Sequence, residues 1–286
     1  MSDQALTVPE RVETPSGKGA GDENFPVGSL LISPALRPHV MRFYAFARAA
    51  DDIADSSTLS SAEKRSRLDR FEDGLDGDVS VATAFALRES LAQTRVSSRH
   101  AKDLLKAFRQ DAVKNRYENW AALMGYCELS ANPVGRYLMD LHGEDQALWP
   151  ASDALCTVLQ ILNHLQDMKK DHAEMDRVYL PLDMLKSEGL SADVVAGESM
   201  PMGLRKIVDI CLDRCDEMLA LARMRPVRLR SRRLNAEMRV ITDLATRLSG
   251  RLRREDPLAG RVKLSKLDFA LSTLAGMRGV AERTAA

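Results

Sequence analysis

The sequence predicts an all-α fold, and three observations carry that prediction. From Phe25 onward, apolar residues recur at the three- and four-residue spacing of helix faces. No stretch alternates apolar and polar residues as a half-buried strand does. Aromatic residues are only 5% of the chain against a hydrophobic share of 45%, a composition poor in the bulky residues strands favour. The 286 residues suffice for one sizeable core, and the expected architecture is a single-domain helical bundle.

Residues 1–23 are rich in Gly, Pro, Ser, Thr and charge without periodicity, and read as a mobile tail ahead of a helical domain over residues 24–286. Ser33-Pro34 offers an N-cap and first-turn proline for a helix running through Asp55. Ser60 followed by Glu63 is a capping-box pattern that opens the next helix. Further helices are expected near 80–95, 98–114, 118–142, 152–175, 203–224, 229–253 and 264–281. Breaks fall at 143–150, 180–201 and Asp256-Pro257, and none has the composition of a long linker.

Lys+Arg and Asp+Glu balance at 41 each, so the net charge gives no reason to expect a nucleic-acid partner. Basic clusters at Arg225–Arg233 and Arg247–Arg254 read as solvated helix faces, with a phosphate- or membrane-facing role as the alternative. Cys127, Cys156, Cys211 and Cys215 lack a zinc-like spacing and read as reduced core residues, which fits a cytoplasmic protein. No signal peptide and no membrane-spanning apolar run are expected.

The chemistry lies in two acidic motifs of equal spacing, Asp51-Asp52-Ile53-Ala54-Asp55 and Asp167-Met168-Lys169-Lys170-Asp171. At about 100° per residue, Tyr44, Arg48, Asp51, Asp52 and Asp55 share one stripe of the first helix. Gln160, Asn163, His164, Asp167 and Asp171 share one stripe of the second. Apolar residues fill the rest of both helices, so each polar stripe is narrow. Like charges one turn apart repel, and almost no lysine neutralises them on these faces, so a cation is expected there. Oxygen ligands favour a hard cation, Mg²⁺, held by carboxylates together with the phosphate oxygens of a substrate. His164 reads as a hydrogen-bond partner rather than a ligand. A cavity among apolar helices with its acids at one end suits ionisation of an allylic or cyclopropylcarbinyl diphosphate, because the cation formed is shielded from water.

At this point the chain resembles the squalene/phytoene synthase family from about Phe25 to Ala275. The resemblance is carried by Tyr44-Ala-Phe-Ala-Arg48 running into Asp51–Asp55, by Gly125-Tyr126-Cys127, by Gln160-Ile-Leu-Asn163-His-Leu-Gln-Asp167-Met-Lys-Lys-Asp171, and by Arg177-Val-Tyr179-Leu-Pro181. Glu23–Ser29, Asn163–Asp167 and Arg261–Lys266 are similar to the hydroxysqualene-forming branch of bacterial hopanoid biosynthesis. The resemblance implies the trans-isoprenyl diphosphate synthase fold with a central cavity, and Mg²⁺-dependent conversion of presqualene diphosphate to hydroxysqualene without NADPH. Head-to-head condensation of two prenyl diphosphates, or a non-catalytic scaffold for pathway enzymes, are the alternatives.

The implied ligands of Mg²⁺ and diphosphate are Asp51, Asp55, Asn163, Asp167 and Asp171. Tyr126, Arg48 and Asp52 form the implied catalytic set; Tyr126 steers the cation or assists the leaving group, unless it is a core tyrosine. Arg48 either contacts a phosphate oxygen or pairs with Asp52. Tyr44, Phe25, Asp111 and Gln160 are expected around the substrate. Arg177 and Tyr179 either close over the diphosphate or anchor a loop, and Lys263 and Lys266 are weaker candidates for closing over it. Many relatives carry a His-Ser…Ser-Phe motif ahead of the first acidic motif; here Gly21–Phe25 keeps only the Phe. That departure argues against condensation of two farnesyl diphosphates. The expected partners are an isoprenoid diphosphate, pathway enzymes and, since substrate and product are apolar, the inner membrane surface.

Overall fold

The computed structural model describes residues 12–13, 31–224 and 229–281. Phe25 and the Gly21–Phe25 departure lie outside the described residues, as does most of the expected tail. Val12 and Glu13 of that tail are packed against the domain. Val12 is buried, and the Glu13 carboxylate accepts from Thr83 N at 3.3 Å and Thr83 Oγ1 at 2.7 Å. Glu13 thereby satisfies an orphan amide in the first turn of helix Ala82–Thr94, whose N-cap Val81 makes no side-chain cap.

Eleven α-helices are present among the described residues, with no strand beyond an isolated bridge between Arg116 and Val178. They are α1 Arg37–Asp55, α2 Ser61–Asp76, α3 Ala82–Thr94, α4 Arg99–Asp111, α5 Trp120–Ser130 and α6 Asn132–Leu141. Then follow α7 Trp149–Met175, α8 Leu182–Ser187, α9 Met202–Met224, α10 Arg232–Leu252 and α11 Lys266–Ala281. The Ser60–Glu63 capping box opens α2 with both reciprocal bonds made.

Two helix starts differ from expectation. Ser33 does not cap α1; its carbonyl accepts from Leu36 N and Arg37 N in a turn, and the helix begins with Pro38 in its first turn. The single helix expected over 118–142 is two, because Pro133 has no amide for the Leu129 carbonyl and restarts the helix at Asn132. The break at 180–201 contains the short α8 and a 3₁₀ turn at Ala192–Ala196.

One core cluster is built chiefly from α1–α4, with Tyr137 and Leu141 of α6. The other is built around α7, with α5, α9 and α10 against it. Helix α6 lies close against α7: a Cβ on Gly135 would meet Ser152 Oγ at 2.3 Å and Cys156 Sγ at 2.6 Å. The Thr157 hydroxyl donates to Asn132 Oδ1 at 2.9 Å and fixes that register. Helix α10 starts beside the turn that precedes α7, where both Glu144 carboxylate oxygens accept amides from Arg230 and Ser231. It therefore runs alongside α7 in the same direction. All four cysteines are free thiols. Among the described residues no helix is long and apolar enough to cross a membrane.

Candidate active site

Between the two cores lies a cavity of about 320 Å³, walled by α1, α6, α7 and α10. Its lining is largely aliphatic, with Val40, Val134, Leu155, Leu159, Met238 and Ile241 among the wall residues. Tyr44, Gln160 and Asn163 also line it, and they lie on the same stripes as the acidic motifs. The polar part of the lining thus belongs to the helix faces that carry the carboxylates.

The two acidic motifs meet. Burial, then the negative charge of Asp167 and of Asp55 on the facing helix, pushes the Asp171 carboxyl up to about 7. Asp51 is held well above the usual carboxylate range, first by burial and then by Asp55, against the pull of Arg48, with Asp111 and Asp52 adding to the rise. Arginines pair with Asp51, Asp55 and Asp167, yet the carboxylates still raise one another across the gap, so the acidic charge is only partly neutralised. Among the described residues, no three acidic or imidazole side chains converge on one point. Facing rows of carboxylates without a closed cage suit Mg²⁺, which takes one or two carboxylates and completes its shell with phosphate oxygens and water. The donor set fits the ion. Asp51, Asp55, Asn163, Asp167 and Asp171 are the residues that would hold it.

Basic side chains brace this rim. Arg177 is buried; its Nη1 donates to Asp55 Oδ1 at 2.5 Å, and its Nη2 to the carbonyls of Ala54 and Asp111 at 3.3 Å each. It thus anchors the segment after α7 to the ends of α1 and α4, the loop-anchoring alternative. Arg48 pairs with Asp51 at 3.0 Å and with the buried Asp52 at 2.5 Å, which is the internal salt bridge considered for it. Lys263 and Lys266 are exposed, and neither pairs with an acidic motif. Arg261 does so instead, its Nε 2.9 Å from Asp167 Oδ1 and its Nη2 donating to Oδ2 at 3.1 Å. Arg261 lies in the Arg261–Lys266 segment that carries the family resemblance, and nothing local in the sequence marks it for this contact. The loop carrying it is locked to α7 by Gln166 Nε2 donating to Val262 O and Lys169 Nζ donating to Leu258 O.

Aromatic rings fill the space behind the acids. Tyr126 on α5 donates its hydroxyl to Asp111 Oδ2 at 2.9 Å. Burial pushes Asp111 up to about 7, although Arg177 and the Tyr126 hydrogen bond pull the other way. Asp111 Oδ1 is buried with no hydrogen-bond partner. Burial, reinforced by Asp111, holds the Tyr126 phenol far above its ordinary value, so it is a proton donor and not a phenolate. Tyr179 stacks on His164 and on Tyr117, with Tyr126 tilted against it. Burial, then Arg177, drops His164 to about 3 and keeps it neutral. Its Nε2 lies 3.2 Å from Gln160 Nε2, a hydrogen-bond contact. Tyr117 completes the cluster and was missed; a lone tyrosine after a helix end carries no sequence signal.

With this geometry in view, comparison with known proteins is decisive. The profile of the Squalene/phytoene synthase family matches residues 19–268. The chain belongs to the squalene/phytoene synthase family. It is 41% identical to the hydroxysqualene synthase of Zymomonas mobilis over 88% of this chain and 86% of that one. It is also 41% identical to the hydroxysqualene synthase of Rhodopseudomonas palustris, over 93% and 91% of the two chains. A crystal structure of a squalene synthase from Alicyclobacillus acidocaldarius superposes with a TM-score of 0.72 at 29% identity, covering 80% of this chain and 87% of that one. A ligand-bound dehydrosqualene synthase shares the fold, with a TM-score of 0.76 at 18% identity over 91% of this chain and 93% of that one.

Proposed function

We propose that this family member converts presqualene diphosphate to hydroxysqualene by ionisation, rearrangement of the cyclopropylcarbinyl cation and capture by water. One observation carries the reading: two facing carboxylate rows lie on the same helix stripes as Tyr44, Gln160 and Asn163 of a largely aliphatic cavity, in a chain 41% identical to hydroxysqualene synthases over most of its length. Bound Mg²⁺ would supply charge to neutralise the diphosphate as it leaves. Asp51, Asp55, Asn163, Asp167 and Asp171 anchor the ion and the diphosphate. Arg48 and Arg177 orient the carboxylates, and Arg261 holds Asp167. The protonated Tyr126, braced by Asp111, presents a hydroxyl beside the leaving group. The aliphatic wall excludes bulk water until the cation has rearranged.

The enzyme also works at the inner membrane surface. The basic stretch at 247–254 is engaged internally: Arg247 and Arg251 pair with Asp268, and Arg253 with Asp213 and Asp216. Of the stretch at 225–233, residues 225–228 lie outside the described residues. Support for contact comes instead from α11, where Leu267, Leu271 and Leu274 point outward on one face at 66%, 41% and 50% exposure, next to the exposed Lys263 and Lys266.

The test is incubation of purified protein with presqualene diphosphate and Mg²⁺ without NADPH, with a parallel farnesyl diphosphate reaction and mass spectrometry of the extracts. Hydroxysqualene from the first alone is the expected result. Presqualene diphosphate from the second would move the chain to the condensing activity, and no product from either would leave the scaffold reading.

A further inference from the structure

Water capture poses a problem that the aliphatic cavity makes sharp. The wall must keep bulk water away from the cation, yet one water molecule must add to it and lose a proton. In an apolar lumen a single water needs polar partners to be held at all. The wall residues able to serve can be taken in turn.

Tyr44, Gln160 and Asn163 lie on the stripes that carry the diphosphate acids. The Tyr137 hydroxyl is already donated to the His39 carbonyl at 3.0 Å. Ser130 Oγ has no partner but is enclosed, and a neutral hydroxyl does not take up a proton. Burial pushes the Cys156 thiol up to about 12, so it stays protonated.

Ser152 also lines the wall, but its hydroxyl is hydrogen-bonded to Cys156 and, like that of Ser130, is no base. Glu237 is the carboxylate of the wall. It is 3% exposed, lies in the middle of the α10 stripe Leu234, Glu237, Met238, Ile241, and belongs to neither acidic motif. A carboxylate in an aliphatic wall is costly to bury, so it calls for a reason. It is not unpartnered, and a partner is what allows a charged group to persist there.

We propose that Glu237 is a catalytic residue of the capture step: its carboxylate holds the attacking water and accepts its proton. The water oxygen forms a bond to the rearranged allylic carbon, one O–H bond breaks to the carboxylate, and the diphosphate has already left with its bonding pair. The carboxylic acid returns its proton to solvent after product release. Mid-wall placement sets this base away from the departing diphosphate, so capture follows rearrangement instead of preceding it. This rests on the presqualene diphosphate reading.

The experiment compares wild type with Glu237→Gln and Glu237→Leu, measuring diphosphate release and the distribution of C30 products by gas chromatography and mass spectrometry in ¹⁸O-water. The expected result is diphosphate release within a few-fold of wild type, while the labelled alcohol falls at least tenfold as a share of product and elimination hydrocarbons replace it. An unchanged alcohol share in both variants would overturn the assignment. So would a parallel loss of release and alcohol in the isosteric Gln variant, the mark of a structural role. Absence of diphosphate release from wild type would instead overturn the underlying reading, and is recognised before any variant is compared.

Discussion

Arg177 donates to Asp55 at 2.5 Å across 122 residues of chain, tying the segment after the second acidic motif to the last carboxylate of the first. The same guanidinium caps carbonyls at the ends of α1 and α4. Arg177→Ala would leave Asp55 and two carbonyls without their donor. Breaking a buried pair costs about 3–5 kcal/mol, and the partial exposure of Asp55 places this one at the lower end. Thermal unfolding should show the loss. Arg177→Lys should recover part of it, since an ammonium reaches one acceptor but lacks the fork. Equal stability of the Ala variant and wild type would refute the anchoring role.

The acidic site predicts a pH dependence in the absence of metal. Asp171 and Asp111 have folded values of about 7, above their ordinary 3.8, so the folded state binds protons that the unfolded chain has released. Their contribution to stability is full below about pH 4 and declines as pH rises through 7. With chelator present, the melting temperature should fall between pH 5 and 8. Mg²⁺ with pyrophosphate should raise it most at the upper end. A melting temperature that rises across that range in chelator would contradict this picture.

Asp51→Asn and Asp167→Asn each remove a carboxylate from a facing row. Loss of a group that merely orients a ligand costs about 10–100-fold in activity, so loss of a ligand itself should cost at least about 100-fold in kcat/KM. Excess Mg²⁺ should rescue little. Full activity in both variants would remove these carboxylates from the metal and diphosphate site.

Tyr126→Phe removes the hydroxyl that donates to Asp111 Oδ2, while Asp111 Oδ1 already lacks a partner. Leaving a buried acceptor unsatisfied costs about 1–3 kcal/mol. On the role proposed for the hydroxyl beside the leaving group, turnover should fall with kcat affected more than KM. A change in KM alone would make Tyr126 a substrate-binding group, and unchanged kinetics with lowered stability would assign it to the core.

Leu271→Asp with Leu274→Asp should abolish flotation with anionic liposomes and leave turnover of detergent-dispersed substrate unchanged. Retained flotation would exclude α11 as the contact face.

By itself, the sequence determined the helical class, most element boundaries and the two acidic stripes, because helical periodicity and carboxylate spacing are local properties of the chain. The same locality explains where it went astray: Pro133 splitting a periodic run, and Pro38 taking the helix start from Ser33, are decided by single backbone amides that periodicity does not register. Only the tertiary structure decided that Asp55 faces Asp171, that Arg48 is bound to its own helix, and that Arg261 reaches Asp167 where Lys263 and Lys266 do not. It alone put Glu237 in the cavity wall. Apart from the local Arg48 pair, whose choice between two readings the packing settled, the acid–acid and Arg261–Asp167 relations join residues about 90 to 120 positions apart, fixed by how helices pack, information that no short window of sequence contains.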